Sequence, residues 1–202
     1  MISAGAWRWT FGRSLQALVP SRARSPAPAA SRARVSRGRL ALRGVDVGER
    51  FDRVAQNWAP IAGAGNYAFN DMHAMMCFVG AGRLREQQEV IDAQRSAMEG
   101  DGDNADYTRE VGHPATLAIQ AFGRGRYAEC VELLRPIRHI AHRFGGSHAQ
   151  RDLLDQTLIE ASRRAGLEAL TTALVNERVA LRPQTPLATL LHKGDARFAR
   201  AA

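Results

Sequence analysis

From Gly48 onward, apolar residues recur three and four positions apart, with the polar residues between them on the opposite side of the helical wheel. Phe51, Val54, Ala55 and Trp58 occupy i, i+3, i+4 and i+7, and Pro60 closes this short leading helix. Phe69, Met72, Met76 and Val79 stripe a helix over residues 67–79, which Gly80 and Gly82 end, and a second helix over 83–98 carries Leu84, Ile91 and Met98. The acidic stretch 99–110 reads as a loop. Pro114 then opens a helix to Phe122, since a nitrogen without a hydrogen loses nothing in a first turn. Gly123 and Gly125 lead into a longer helix over 127–144, in which the ring of Pro136 should clash with the Glu132 carbonyl and kink the axis. Gly145 and Gly146 stop that helix, and Ser147 with Gln150 forms a capping pair for the next. The last unit carries Leu154, Leu158 and Ala161, turns at Gly166 and runs through Leu170, Leu174 and Leu181 before Pro183 and Pro186. Strand-like alternation is absent, so the expected fold class is all-α.

The turn glycines Gly82, Gly125 and Gly166 stand 43 and 41 residues apart, so helix pair follows helix pair at a nearly fixed period. A single pair leaves an apolar stripe uncovered, and stacking neighbours buries it. This predicts an α-solenoid of about three helix pairs plus the short leading helix. The chain divides into an Arg-rich tail over 1–42, a helical-repeat domain over 43–186 and a weakly structured C-terminal tail over 187–202.

Gly125, Tyr127, Cys130 and Leu134 resemble the G-x-Y-x-x-A-x-x-x-F segment of a tetratricopeptide repeat, with Cys130 at the small-residue position. Gly166 and Pro183 stand at that repeat's Gly-to-Pro distance, whereas the first pair departs from it, with Leu84 for Tyr and Gln87 for the small residue. Longer strings are more specific: YAFNDMHAMMCFVGAGR from Tyr67, TREVGHP from Thr108, the run from Gly123 to Ala161, and ERVALRPQTP from Glu177. Together they are similar to the C-terminal part of the tetratricopeptide repeat protein 38 family, from Arg43 to Pro186. The resemblance implies a cytosolic TPR-like solenoid and supplies no reaction. Members of that family extend further toward the N-terminus, so the chain reads as truncated, and Phe51 and Trp58 would then lack a polar cap. Self-association or instability would be the consequence.

The net charge of +8 changes the picture only at one end. Nine arginines, from Arg8 to Arg43, precede the first acidic residue, Asp46, and the remainder is close to neutral. The tail, with SPAPAAS at Ser25 to Ser31, is too poor in apolar residues to fold. Acid-free and Arg-rich, with Trp7, Phe11, Leu15 and Leu18 on one helical face, it resembles a mitochondrial transit peptide. Clustered arginine could neutralise nucleic-acid phosphates, but nucleic acid is not the expected partner, and the favoured reading is a plain solvated extension or a start-site artefact. Cytoplasmic placement is the expectation for the folded part and mitochondrial the alternative. Cys77 and Cys130, far apart and within apolar helical patterns, support neither a disulfide framework nor a thiolate metal site. The sequence holds no run of eighteen apolar residues.

Candidate chemistry is sparse. His139, His142 and His148 are the tightest histidine set, but Gly145 and Gly146 intervene and Arg138 and Arg143 would repel a cation. DGDNAD at Asp101 begins like a calcium loop, yet its sixth position is Asp106 where glycine is required and its twelfth is Gly112 where a bidentate Glu is needed. We therefore expect no metal and no cofactor; nucleotide-binding and nucleophile-elbow strings are absent. Polar residues on the first helix of each pair remain, the side that lines the concave surface in tetratricopeptide solenoids. Asn70, Asp71 and His73 lie there in the first pair, and His148, Arg151, Asp152 and Gln156 in the third, where Arg151 is also spaced to pair with Asp155. These seven are the predicted partner-binding residues of a non-enzymatic scaffold that takes a protein or peptide in its groove, with Arg151 gripping an anion and Asn70 and Gln156 a peptide backbone. The alternative is a small-molecule binder or enzyme in which His73, His148 and Asp152 act as acid and base.

Overall fold

The computed structural model describes residues 50–146 and 148–184. The Arg-rich tail with its targeting and phosphate-binding readings, the 187–202 segment, Ser147 and the side chain of Gln150 lie outside them, and with these the predicted capping pair. The described residues are all-helical, without strands. In chain order they form α1 (Arg50–Trp58), a 3-10 turn (Ala59–Ile61), α2 (Ala68–Gly80), α3 (Leu84–Glu99), α4 (Asp103–Tyr107), a π-helical segment (Thr108–Gly112), α5 (His113–Gly123), α6 (Tyr127–Ile137), α7 (His148–Arg164) and α8 (Glu168–Leu181).

Three hairpins share one turn. Gly82, Gly125 and Gly166 have φ of +66°, +73° and +71°, the left-handed conformation that glycine adopts without a Cβ penalty. The N–H of the next residue reaches back five positions in each: Arg83 to Phe78 at 2.8 Å, Arg126 to Ala121 at 2.9 Å and Leu167 to Ser162 at 3.0 Å. The glycine N–H bonds the carbonyl three residues back, on Val79, Phe122 and Arg163. The second helix opens identically too, with Gln87, Cys130 and Thr171 donating to Arg83, Arg126 and Leu167. The 43- and 41-residue spacing of the glycines is thus matched bond for bond in the backbone.

The hairpins α2/α3, α5/α6 and α7/α8 pack in sequence: α2 lies on α5, α5 on α7, and α6 also on α7. Core residues run continuously from Trp58 through Met72, Met75, Phe78, Ile119, Phe122, Leu134 and Phe144 to Leu158. Arg164 closes the junction of the second and third hairpins, its guanidinium over the rings of Phe122 and Tyr127 at 5.3 and 5.4 Å. Helix α1 covers one side of α2 with Phe51, Ala55 and Trp58 inward and Asp52, Arg53, Gln56 and Asn57 exposed. It is itself a polar cap, so the expectation that Phe51 and Trp58 would stand uncovered is corrected.

Two prolines act differently from their predicted roles. The 99–110 stretch is no loop beyond Gly102: helix begins at Asp103 and continues through Gly123, and Pro114 lies inside it rather than at its start. A proline there removes a donor and crowds the carbonyl four residues back, and the helix widens ahead of it, His113 donating to Thr108 five residues away. Pro136 does more than kink its helix. α6 ends at Ile137, and residues 138–144 form tighter turns in which Ile140 bonds Ile137 and Arg143 bonds Ile140.

Because a Cβ at Gly82, Gly125 or Gly166 would meet nothing within 4 Å, only the backbone conformation opposes a side chain there. Substitution by alanine at each position singly is expected to cost about 1 kcal/mol, nearly equal at all three, in urea unfolding. Costs that differ widely among the three would show that the turns are not equivalent.

Candidate functional site

The predicted site residues sort by depth and direction. At the front of α2, Tyr67 is 42 % exposed and Asn70 is partly exposed. The loop entering α7 lies against this end. Gly145 abuts the Tyr67 hydroxyl and Gly146 the Phe69 ring, with no space at either for a Cβ, and Phe69 meets Phe144 edge-on at 5.3 Å. The structure therefore sets the loop entering α7 against the start of α2, where Asn70 is partly exposed, and His148 is exposed at the first position of α7. Arg151 is there too, but its guanidinium is occupied. It donates to the carbonyls of Gly145 and Gly146 and lies 3.4 Å from His148 Nδ1, holding the loop rather than offering a free anion grip. Its predicted partner Asp155 accepts instead from Arg138 Nε at 3.2 Å, and Arg138 also forks onto Glu177 at 2.8 and 3.0 Å.

Three predicted residues are buried, which corrects their placement on an open surface. His73 is 2 % exposed, its ring against Phe69 at 4.3 Å and its Nδ1 donating to the Phe69 carbonyl at 2.7 Å. Burial pushes the imidazole down to about 4 despite that bond, so it is neutral at physiological pH. Asp152 turns between α7 and α8, where Arg178 grips it with both terminal nitrogens at 2.6 and 3.0 Å and Arg182 and Gln156 add further bonds. Burial disfavours its charge, yet these partners outweigh burial and hold the carboxyl below its usual value. Gln156 is spent on this cluster. His73, His148 and Asp152 thus have separate environments: an aromatic core, an exposed helix start and an ion cluster. The thiols of Cys77 and Cys130 are buried and pushed up, Cys130 to about 12, which makes them poor nucleophiles.

Asp71 belongs to a polar seam that sequence reasoning missed. It faces Gln94 of α3, 8 % exposed, and burial raises its carboxyl to about 7 while a bond from Gln94 opposes the rise. Its Oδ2 has no hydrogen-bond partner. Gln94, fully buried, donates to Thr116 Oγ1 at 3.0 Å, and its Oε1 is 3.1 Å from His113 Nδ1. Two turns along the same helix, Gln87 accepts from Gln120 and donates to the Phe78 carbonyl. The available signal was spacing: Gln87 and Gln94 are seven apart and flank Val90 and Ile91 on the inward stripe. An open depression of about 370 Å³ lies elsewhere, between residues 63–66 and the ends of α3 and α4, with Ala93, Ser96, Asp101 and Asn104 in its walls.

Among the described residues no group of three His, Cys, Asp or Glu side chains could hold a metal ion, and no helix is long and apolar enough to cross a membrane. No protein-family model matches the chain, and no solved structure matches it.

Asp71 and His73 give opposite pH dependences over one interval. Between its ordinary value of 3.8 and about 7, Asp71 is protonated when folded and ionised when unfolded, so its stabilisation declines as pH rises. His73 is neutral when folded and protonated when unfolded between about 4 and 6.5, so its contribution grows with pH. The two nearly cancel in the intact chain. Asp71→Asn is expected to expose a rise of up to about 1.4 kcal/mol per pH unit, and His73→Leu a fall of similar slope, in urea unfolding across that range. Parallel profiles for both variants and the parent would contradict these assignments.

Proposed function

We propose that the chain is a helical-repeat scaffold of the tetratricopeptide type, related to the tetratricopeptide repeat protein 38 family, that binds a protein or peptide. The observation carrying this reading is the identity of the three hairpin turns, from left-handed glycine to the first bond of the following helix. A unit repeated with its hydrogen bonds intact and stacked on its neighbour is the construction principle of solenoid binding proteins. The binding face is the Gly145–Gly146 loop where it meets exposed Tyr67 at the start of α2, taken together with Asn70 one turn into α2 and exposed His148 at the start of α7. His73 packs against Phe69 behind this face, and Arg151 shapes its loop. A cytoplasmic location accords with the family resemblance. The acid–base alternative loses support from the occupation of Asp152 by two arginines, which leaves its carboxylate committed to α8.

Selection of a displayed random-peptide library on the full chain tests the proposal. Enriched peptides sharing a motif, and bound at least about tenfold more weakly by the Asn70→Ala, His148→Ala double variant, are the expected result, since a hydrogen-bonding side chain at a tight contact is worth about 1 kcal/mol or more. Circular dichroism of the variant should match the parent. No common motif, or equal binding by the double variant, would remove this face from consideration.

A further inference from the structure

Three helices meet around Asp71, and what they offer a charged carboxylate is meagre. A carboxylate accepts through about four lone-pair positions, and one of this group's oxygens, Oδ2, has no partner at all. Gln94, its one side-chain donor, is shared: the same amide serves Thr116 Oγ1 and His113 Nδ1. Charged groups on the surrounding elements are engaged elsewhere. Helix α1 turns Phe51, Ala55 and Trp58 toward α2. On α3, Arg95 pairs with Asp92 at 3.3 Å, Arg85 with Glu89 and Glu86 with Arg83. In the π-helical segment, Arg109 holds the carbonyls of Met98 and Gly100 together with Asp106, and Glu110 pairs with Arg143. On α2 itself, His73 faces Phe69. On α5 there is His113, which burial and the charge of Arg95 push below its ordinary value of 6.5, so it stays neutral above that.

The opposing wall carries the irregular stretch of its helix. Pro114 supplies no N–H, and the π turn immediately before it holds its end through the His113-to-Thr108 bond. His113 and Thr116, the two side chains that bond Gln94, follow that turn directly. A protonated Asp71 fits here as a neutral group; an ionised one is a desolvated charge whose one side-chain donor, Gln94, is tied to the residues that follow the π turn.

We propose that the contact between the first and second helix pairs is a proton-gated joint, closed when Asp71 is protonated and opened along the 103–123 helix when Asp71 ionises and draws water into the seam. The joint responds near neutrality because burial places the carboxyl at about 7. It is independent of whether the chain binds peptides. The rest of the core, remote from the seam, does not take part.

Hydrogen–deuterium exchange of the full chain at about pH 6 and pH 8, corrected for the intrinsic pH dependence of amide exchange, reads the gate directly. Peptides from 103–123 should lose protection by about tenfold or more at the higher pH while peptides from 148–181 keep theirs, and Asp71→Asn should abolish the difference. Unchanged protection in the parent, or the same loss in the Asn variant, overturns the proposal. Infrared difference spectra of the parent need no variant to fold: a protonated-carboxyl band should disappear over the same interval, and its absence at about pH 6 overturns the proposal equally.

Discussion

Ten of the thirteen residues of α2 are buried, because α1, α3 and α5 all pack on it. A helix surrounded in this way has no solvated face, so its polar side chains must find partners within the fold. His73 does so with a backbone carbonyl and an aromatic ring, and Asp71 with a shared amide that leaves one oxygen unmatched. The polar seam on α3 and α5, the neutral state of the imidazole and the raised carboxyl follow from this burial. Position on the first helix of a pair therefore does not by itself leave a residue exposed.

The third hairpin is held differently. On α8, Leu174 is buried and Leu170 partly so, while Arg178, with Arg182 just past the helix end, reaches Asp152 and Glu177 reaches Arg138. Buried ion pairs are costly to desolvate and severe to break, so this end gains geometric definition more than stability from them. The result is a gradient along the array, from an apolar centre around α2 and α5 to an ion-fastened last helix.

Much of this was legible in the sequence and some was not. Glycines at a regular spacing marked the turns because left-handed backbone is a local property that a single residue reveals. Helix ends at Gly80, Gly123 and near Leu181 were likewise local. The helix over 103–112 was hidden because its charged residues look like a loop until Arg109 is seen capping the end of α3 through Met98 and Gly100. Pro114 and Pro136 were recognised as constraints, but whether a helix widens or ends at a proline depends on what packs beside it. The depth of three site residues was hidden for the same reason. Asp71, His73 and Asp152 look like surface residues in a helical wheel, although the apolar FNDMHAMMCFVG run carried the hint that no side of α2 would be wet.

Helix α2 is the hub on which the hairpins are assembled. Residue-resolved native-state hydrogen exchange by NMR tests it most directly. Amides from Met72 to Cys77 are predicted to exchange only with global unfolding, while those of α8 open with several kcal/mol less. Equal protection of α8 and α2, or faster exchange in α2, would contradict the account.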